Sequence, residues 1–267
     1  MNKKYFVTIL LFIFTTFIYS ASITNGLISE WSWENNANDS QGTHHGTISG
    51  ATFDTGISGQ AVSIDGNDDY VKMTSGPDLR GLTSLTMTSW VNSDPNSGQN
   101  YSRVIEIGND AGTSTAIVLD TNGGTSGNYI GTVRVWVHTN GSRKEVGTAN
   151  NGDNYNYNDG LWHHLAMTYD GSQLKLYIDG VLTETGSATG SIDSEVGTLI
   201  GQHNFLSPTN SDTFGGLIDE TLVYNRALSA TEISTLAQIP TQNIPEPASF
   251  FILLLGLAII SWKKIVK

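Results

Sequence analysis

Three short runs alternate residues with a period of two, and that pattern limits the fold more than any other feature of the chain. Leu85, Met87, Ser89 and Val91 form one side of the first run, with Thr86, Thr88 and Trp90 on the other. Val133, Val135 and Val137 alternate with Arg134, Trp136 and His138, and Leu174, Leu176 and Ile178 alternate with Lys175 and Tyr177. Successive strand side chains point to opposite faces, so each run offers one face to a core and one to solvent. Turn chemistry agrees. Asp170-Gly171 and Asp179-Gly180 interrupt the runs, and Asp-Gly supplies the positive φ angles that tight hairpin turns need. Strands are predicted at about Leu161–Tyr169, Gln173–Ile178 and Val181–Thr185, forming a β-meander. One short helix is predicted from the capping box Ser229-Ala230-Thr231-Glu232, with Ser229 as N-cap, ending near Ala237 before Pro240. The expected fold class is all-β: a two-sheet antiparallel jelly-roll sandwich with one short C-terminal helix.

The two ends are expected to be a signal helix and a membrane helix. Lys3 and Lys4 precede the apolar run Tyr5–Ile18, and the small residues Ser20, Ala21 and Ser22 follow. This is the pattern of a secretory signal peptide, removed by signal peptidase. The alternative, an uncleaved anchor, asks for a longer core, because a spanning helix wants about 20 residues. At the other end, Phe250–Trp262 is apolar apart from Ser261, and Lys263, Lys264 and Lys267 follow. Those lysines would stay cytoplasmic and leave the domain outside. A buried core helix would show a polar face, which this segment lacks. Residues 1–21 are therefore taken as signal peptide, 22–239 as one domain and 240–267 as linker and tail. No solenoid-length repeat is present.

Charge narrows the partners. The whole chain carries a formal −12. Removing Lys3, Lys4, Lys263, Lys264, Lys267 and Glu246 leaves 13 − 5 = 8 basic and 25 − 1 = 24 acidic residues, or −16. Such a body repels nucleic acid and anionic lipid and suits neutral glycans, cations or simple solubility. The chain has no cysteine, so disulfides contribute nothing, although an exported location would permit them.

Pro245-Glu246-Pro247 stands directly before the apolar tail. With the membrane segment and terminal lysines, it resembles the PEP-CTERM sorting signal of Gram-negative bacteria. The resemblance covers about the last two dozen residues. It implies transient parking in the inner membrane, processing by an exosortase, and delivery to the cell surface or extracellular matrix.

Three further segments together resemble the laminin G-like, concanavalin A-like jelly-roll family. They are GLISEWSWENNANDSQGTHHGTISG with GQAVSIDGNDDYVKM, then DGLWHHLAMTYDGSQLKLYIDGVLTET, then GGLIDETLVYNRALSATEISTLA. They run in order from Gly26 to Ala237. The resemblance implies two facing antiparallel sheets with a concave face, and it covers glycan binders, adhesion modules and accessory domains of enzymes. It also implies a Ca²⁺ site with Asp39 and Asp219 as side-chain ligands and Gly42 as a carbonyl donor. The alternative is that both acids serve turn or strand-edge hydrogen bonds. Asp65–Asp69 does not fit an EF-hand, because Tyr70 occupies the loop position that requires Gly. His44-His45 and His163-His164 are poorly placed for one zinc ion, since neighbours on a strand face apart.

No catalytic residue is expected. The acidic strand motif of related glucanases is missing, and Asp219-Glu220 in one strand would face opposite ways, whereas glycosidases need two facing carboxyls. No Gly-x-Ser-x-Gly elbow is present. Candidate sugar platforms are Trp136 and the loop aromatics Tyr129, Tyr155 and Tyr157; the alternative for each is ordinary packing. The expected function is a non-catalytic carbohydrate-binding or adhesion protein whose ligand is a polysaccharide or exopolysaccharide. A structural matrix protein without a specific glycan, and a polysaccharide-degrading enzyme, are the rival readings.

Overall fold

The computed structural model describes residues 23–73, 75–97, 102–108, 113–120, 131–148, 156–193, 197–203 and 213–238. The signal and sorting segments lie outside the described residues, including Pro245, Glu246, Pro247, Lys263 and Lys264, as do Tyr129 and Tyr155. No described helix is long and apolar enough to cross a membrane.

The strands in chain order are β1 (Leu27–Trp31), β2 (Thr47–Ser49), β3 (Thr52–Thr55), β4 (Gln60–Asp65) and β5 (Tyr70–Met73). Next come β6 (Leu85–Ser93), β7 (Ser102–Gly108), β8 (Ser114–Asp120), β9 (Thr132–Thr139) and β10 (Ser142–Gly147). The last five are β11 (Trp162–Tyr169), β12 (Gln173–Ile178), β13 (Val181–Ser187), β14 (Thr198–Ile200) and β15 (Gly215–Tyr224), followed by α1 (Ala230–Leu236). They form two antiparallel sheets, so the chain is the expected all-β jelly-roll sandwich with one short helix. Sheet A has the order β13-β12-β11-β6-β15-β4-β3, with β1 also on β15. Sheet B has the order β10-β9-β8-β7-β14-β5-β2.

The alternating runs meet in the main core. Leu85, Met87 and Val91 of β6 and Leu174, Leu176 and Ile178 of β12 face Val133, Val135 and Val137 of β9 across the sandwich. The opposite face of sheet A carries a second, smaller core. There Ala166, Tyr177, Leu222 and Tyr224 pack beneath Leu228 and Ile233. Helix α1 holds its position through both halves of the Ser229–Glu232 capping box, and Arg226 pairs with Glu232 at 2.5 Å.

The meander is present, with β13 running two residues beyond the expected end. Its two Asp-Gly turns differ. Asp179 and Gly180 both have positive φ (51° and 79°), as a two-residue hairpin turn requires. At the other turn only Gly171 does, because the Asp170 carboxylate accepts the N–H groups of Ser172 and Gln173 and moves the centre of the turn onward. His44-His45 lies in coil before β2 rather than on a strand.

Strand β15 changes partner along its length. Gly215–Ile218 pairs with β4, and Thr221–Tyr224 pairs with β1, while β6 stays on the other side. The register shifts between Asp219 and Leu222, and Glu220 sits at φ 45°. Below this bulge, the Trp33 indole donates to Thr221 Oγ1, which is 3.0 Å from Ser89 Oγ; Ser89 also bonds the Asp219 carbonyl.

Two leucines four residues apart separate core from surface. Leu165 is fully buried, whereas Leu161 is 59% exposed. Leu165→Ala is expected to cost about 2–5 kcal/mol in urea unfolding, and Leu161→Ala less than about 0.5 kcal/mol. Equal costs would contradict the strand register.

Candidate functional site

The β15 bulge forms an acidic edge. Asp219 is fully buried; its Oδ2 accepts the Ser58 N–H at 3.1 Å and its Oδ1 the Glu220 N–H at 2.8 Å. Glu220 also reaches Ser58. Plain alternation sends Asp219 and Glu220 to opposite faces. The bulge and the positive φ of Glu220 override it and bring both carboxyls to the same turn. Gly56 is needed beneath them, since a Cβ there would stand 2.3 Å from Asp219 Oδ2. Glu34 closes the group from the far side, accepting the Gln60 N–H at 3.3 Å. Burial above all, with repulsion from Glu34, pushes the Asp219 carboxyl up to about 7. Burial first, then Asp219, Glu30 and Glu34, push Glu220 up to about 7.

Glu30 of β1 links this edge to the loop carrying Asp39. Its Oε2 accepts from the Ser40 hydroxyl at 2.5 Å and from Gln41 Nε2 at 2.7 Å. Asp39 Oδ1 accepts the N–H groups of Glu30 and Gln41, and Oδ2 that of His44, whose ring Nδ1 lies 3.2 Å away. A Cβ on Gly42 would come to 3.0 Å from Asp39 Oδ2, so the loop closes tightly over that carboxyl.

These donors are all oxygen and mostly carboxylate, the set that Ca²⁺ takes. They fit unequally. A carboxylate has about four lone-pair positions. The contacts of Asp39 occupy about that number, so ligation there requires giving up a bond. Asp219 keeps spare acceptor capacity, and the carboxyls crowding it are the groups that a divalent cation relieves. Three other acids, Asp65, Asp68 and Asp69, bring ligand atoms within 4.8 Å of one another in the β4–β5 connection. There Asp69 Oδ2 accepts the Asp65 N–H and Asp65 Oδ1 the Asn67 N–H, as in a hydrogen-bonded turn.

Trp136 lies on the outer face of sheet B with Ala116 and Val118, turned away from the valines of β9 as alternation demands. The residue is 2% exposed rather than open. The Arg143 guanidinium sits 3.8 Å from the ring centroid and that of Arg103 4.7 Å. The carboxylates beside it are paired. Glu106 lies 3.4 Å from Arg103 and 2.7 Å from His203, and Glu145 pairs with Arg134 at 3.3 Å and with Arg143. Burial pushes the Glu106 carboxyl up, but His203, Arg103 and Ser114 together hold it below the usual carboxylate range.

Tyr157 is elsewhere. It packs against the main core, edge-on to His163 at 5.3 Å, and its N–H bonds the Gly131 carbonyl just before β9. Trp136 is five positions beyond Gly131, about 16 Å along the strand, so the two aromatics do not form one platform. His163 and His164 do face apart. His163 bonds Asp179 at 2.8 Å and Asp159 at 3.3 Å, and these acids raise its pKa against the opposing effect of burial. His164 meets Trp90 edge-on at 5.3 Å, and burial lowers its pKa to about 4.

Sequence reasoning missed Glu30, Glu34 and the arginines over Trp136, and it set Glu220 aside as facing away from Asp219. The positive φ at Glu220 has no local sequence signal, because Glu is not a residue that favours it.

This fold is a lectin-like sandwich. Residues 65–234 match the family model described as the concanavalin A-like lectin/glucanases superfamily, and the chain belongs to that family. No curated protein sequence matches the chain. Among solved structures, domain 4 of AbnA is similar; AbnA is a GH43 extracellular arabinanase from Geobacillus stearothermophilus, and the structure holds arabinotriose. The TM-score is 0.61 at 22% identity, covering 79% of this chain and 98% of that one. The botulinum neurotoxin serotype D ligand binding domain in complex with N-acetylneuraminic acid gives 0.61 at 14%, covering 82% and 52%. The binding domain of Paraclostridial Mosquitocidal Protein 1 gives 0.59 at 15%, covering 79% and 52%. The chain thus spans about half of each toxin domain.

The acidic edge sets a pH response. Between about pH 4 and pH 7 the folded chain keeps protons on Asp219 and Glu220 that the unfolded chain has released, so stability falls as pH rises through that window. Thermal melts of chelator-treated protein should fall from about pH 5 to pH 8, and Asp219→Asn should flatten the slope. His163 contributes in the same direction and His164, with its lowered pKa, in the opposite one below about pH 6.5, so the comparison with the variant is what isolates the carboxyls. An unchanged slope in Asp219→Asn would refute the assignment.

Proposed function

We propose that the chain is an exported, non-catalytic carbohydrate-binding or adhesion protein of a Gram-negative cell surface or extracellular matrix. The observation that carries this reading is the likeness to the arabinanase domain, which the chain matches over 98% of its length and which was solved with arabinotriose bound. The toxin domain with N-acetylneuraminic acid adds a second sugar-bound neighbour on the same architecture. The ligand is a polysaccharide, such as the producer's own exopolysaccharide.

Two observations favour binding over bond cleavage. A glycosidase needs one carboxyl kept protonated as a general acid. On the outer face of sheet B the described glutamates, Glu106 and Glu145, are paired with arginines instead. The carboxyls with raised pKa, Asp219 and Glu220, would serve a cleaving enzyme only if substrate reached them, and Asp219 is fully buried and bonded to backbone N–H groups. Ca²⁺ would be held at this edge by Asp219 with Glu220 and Glu34, alongside the loop of Asp39 and Gly42. Bound there, it supplies positive charge to a crowded carboxylate group and fixes the loops around it.

Export follows from the ends of the sequence: signal peptidase removes the first, and an exosortase removes the Pro245-Glu246-Pro247 tail after transient inner-membrane anchoring. Intact mass of protein recovered from producing cells should show loss of the N-terminal segment near Ser20–Ser22 and of the tail near Pro245. A full-length mass would overturn this part.

Affinity electrophoresis through a polysaccharide panel should show retardation by at least one polymer, with no reducing ends released on long incubation. Steady turnover, or no retardation by any polymer, would overturn the reading. Added Ca²⁺ should raise the melting temperature of chelator-treated protein, by an amount equivalent to about 2.7 kcal/mol at one hundred times its Kd. Asp219→Asn should abolish the rise; no rise in the parent protein would remove Ca²⁺ from the account.

A further inference from the structure

Among the described tryptophans, Trp31, Trp33, Trp90 and Trp136 are buried, and Trp162 alone is not. Trp162 opens β11 on the outer face of sheet A. Ala166, on the same side of the strand, belongs to the second core, whereas Leu165 and Met167 face the main one. The register carries a row from Trp162 across the sheet. Trp162 pairs with Asn92 on β6, Asn92 with Leu217 on β15, Leu217 with Ser63 on β4 and Ser63 with Thr52 on β3. Their neighbours Val91, Ile218 and Val62 point into the main core, so this row points outward.

The row is open. Thr52 is exposed and the other four residues are partly exposed. One row further along the strands, Ala61, Asp219, Trp90 and His164 are all buried. Strands spaced by about 4.8 Å make the open row about 19 Å wide, a strip rather than a pocket.

Its polar groups are spare. The Trp162 indole N–H, the Asn92 amide and the Ser63 hydroxyl make no hydrogen bond to a described residue. An Asn side chain offers both donors and acceptors, so it can take hydroxyl groups in either orientation. An indole offers a flat apolar face with one donor at its edge. Leu217 continues the apolar surface beyond Asn92, and Leu161, 59% exposed, directly precedes Trp162.

Charge sets the ligand class. None of the eight Lys and Arg residues between the two end segments stands in this row or in the rows on either side of it. Three exposed acids do flank it. Asp54 pairs with Ala61, Asp65 pairs with Gly215, and the Asp94 N–H donates to the Gly215 carbonyl. An anionic polymer is repelled here and meets no counter-charge, whereas a neutral one loses nothing.

From this we infer that the Trp162–Asn92–Ser63 row on the outer face of sheet A binds a neutral polysaccharide. The C–H face of a sugar ring stacks on the Trp162 indole, and its hydroxyls bond Asn92 and Ser63. The inference rests on the carbohydrate-binding reading and gives it a site and a ligand class. The platform expected at Trp136 moves to the other sheet, because arginines cover Trp136.

The test is affinity electrophoresis of the whole chain through arabinan, laminarin, dextran and hydroxyethylcellulose, with polygalacturonate beside them. At least one neutral polymer should retard the protein, with little dependence on salt, and polygalacturonate should not. Trp162→Ala should weaken binding at least about tenfold. Trp162→Phe should fall between, because it keeps a flat face and loses the N–H. Asn92→Ala should weaken binding about fivefold with an unchanged melting temperature, which separates lost contacts from lost folding. Leu182→Ala removes an exposed apolar side chain of β13 away from the row and should leave binding unchanged. Full binding of a neutral polymer by both Trp162→Ala and Asn92→Ala would overturn the inference and leave the carbohydrate-binding reading standing. Binding to polygalacturonate alone would overturn the neutral class. A solution mass that falls to monomer in Trp162→Ala, with polymer binding intact, would assign the row to a second copy of the chain and overturn the inference. Binding to no polymer would remove both readings.

Discussion

The organising constraint is the hydrogen bonding of one strand. Strand β15 runs through the middle of sheet A, where each buried backbone N–H and C=O needs a partner. On one side β6 supplies them. On the other side neither β4 nor β1 reaches the full length, so the partner changes, and the chain bulges at Asp219–Glu220 where the two meet. The Trp33–Thr221–Ser89 chain of hydrogen bonds fixes the bulge from the core side. The exposed side collects the consequence: two consecutive acids that an unbroken strand would separate are both directed at Ser58. The acidic edge is thus a product of topology, and the raised pKa values follow from how it is buried.

Local patterns in the sequence were sufficient for the layers. Period-two alternation placed the β6, β9 and β12 side chains on the correct faces, and the Ser229 capping box located the helix start. Alternation also turned Trp136 away from the core, but it could not show that the ring would be covered. The covering residue arrives through the β9–β10 hairpin, whose register sets Arg143 opposite His138 and Glu145 opposite Trp136. The contact is diagonal and depends on the turn at Asn140-Gly141, both at positive φ. The arginines around Trp136 were illegible for a related reason. Arg103, Arg134 and Arg143 come from three strands, and only Arg134 and Arg143 lie close in sequence. The Asp170-Gly171 turn misled because a side chain outcompeted the backbone preference: the Asp170 carboxylate captured two N–H groups.

Net charge is a poor guide to partners when charge is segregated. A body at −16 repels anions at long range, yet beyond a Debye length that repulsion is mostly screened. What remains at contact is the local arrangement: Glu106 and Glu145 on the outer face of sheet B are paired with arginines, whereas four acids crowd together at the sheet A edge. The four carboxylates of the sheet A edge account for part of the excess acid, and their crowding suits a cation rather than a glycan.

The separation of these two surfaces bears on how far they can influence each other. The core between two packed sheets is about 10 Å thick, so groups on the outer faces stand farther apart than the screening length of about 8 Å. A cation gained at Asp219 and a charge on the outer face of sheet B would therefore act on one another only weakly. If Ca²⁺ strengthens glycan binding, the effect has to travel through order instead, by fixing β15 against β6 and so holding sheet A rigid beneath sheet B. Close-packed side chains from the two sheets provide that contact: Met87, Val91 and Ile218 on one side meet Ile105, Ile117 and Val135 on the other within a single buried cluster. Charge and packing then make different demands. A coupling carried by charge would vanish in moderate salt, whereas one carried by the core would persist there and disappear when the core is loosened.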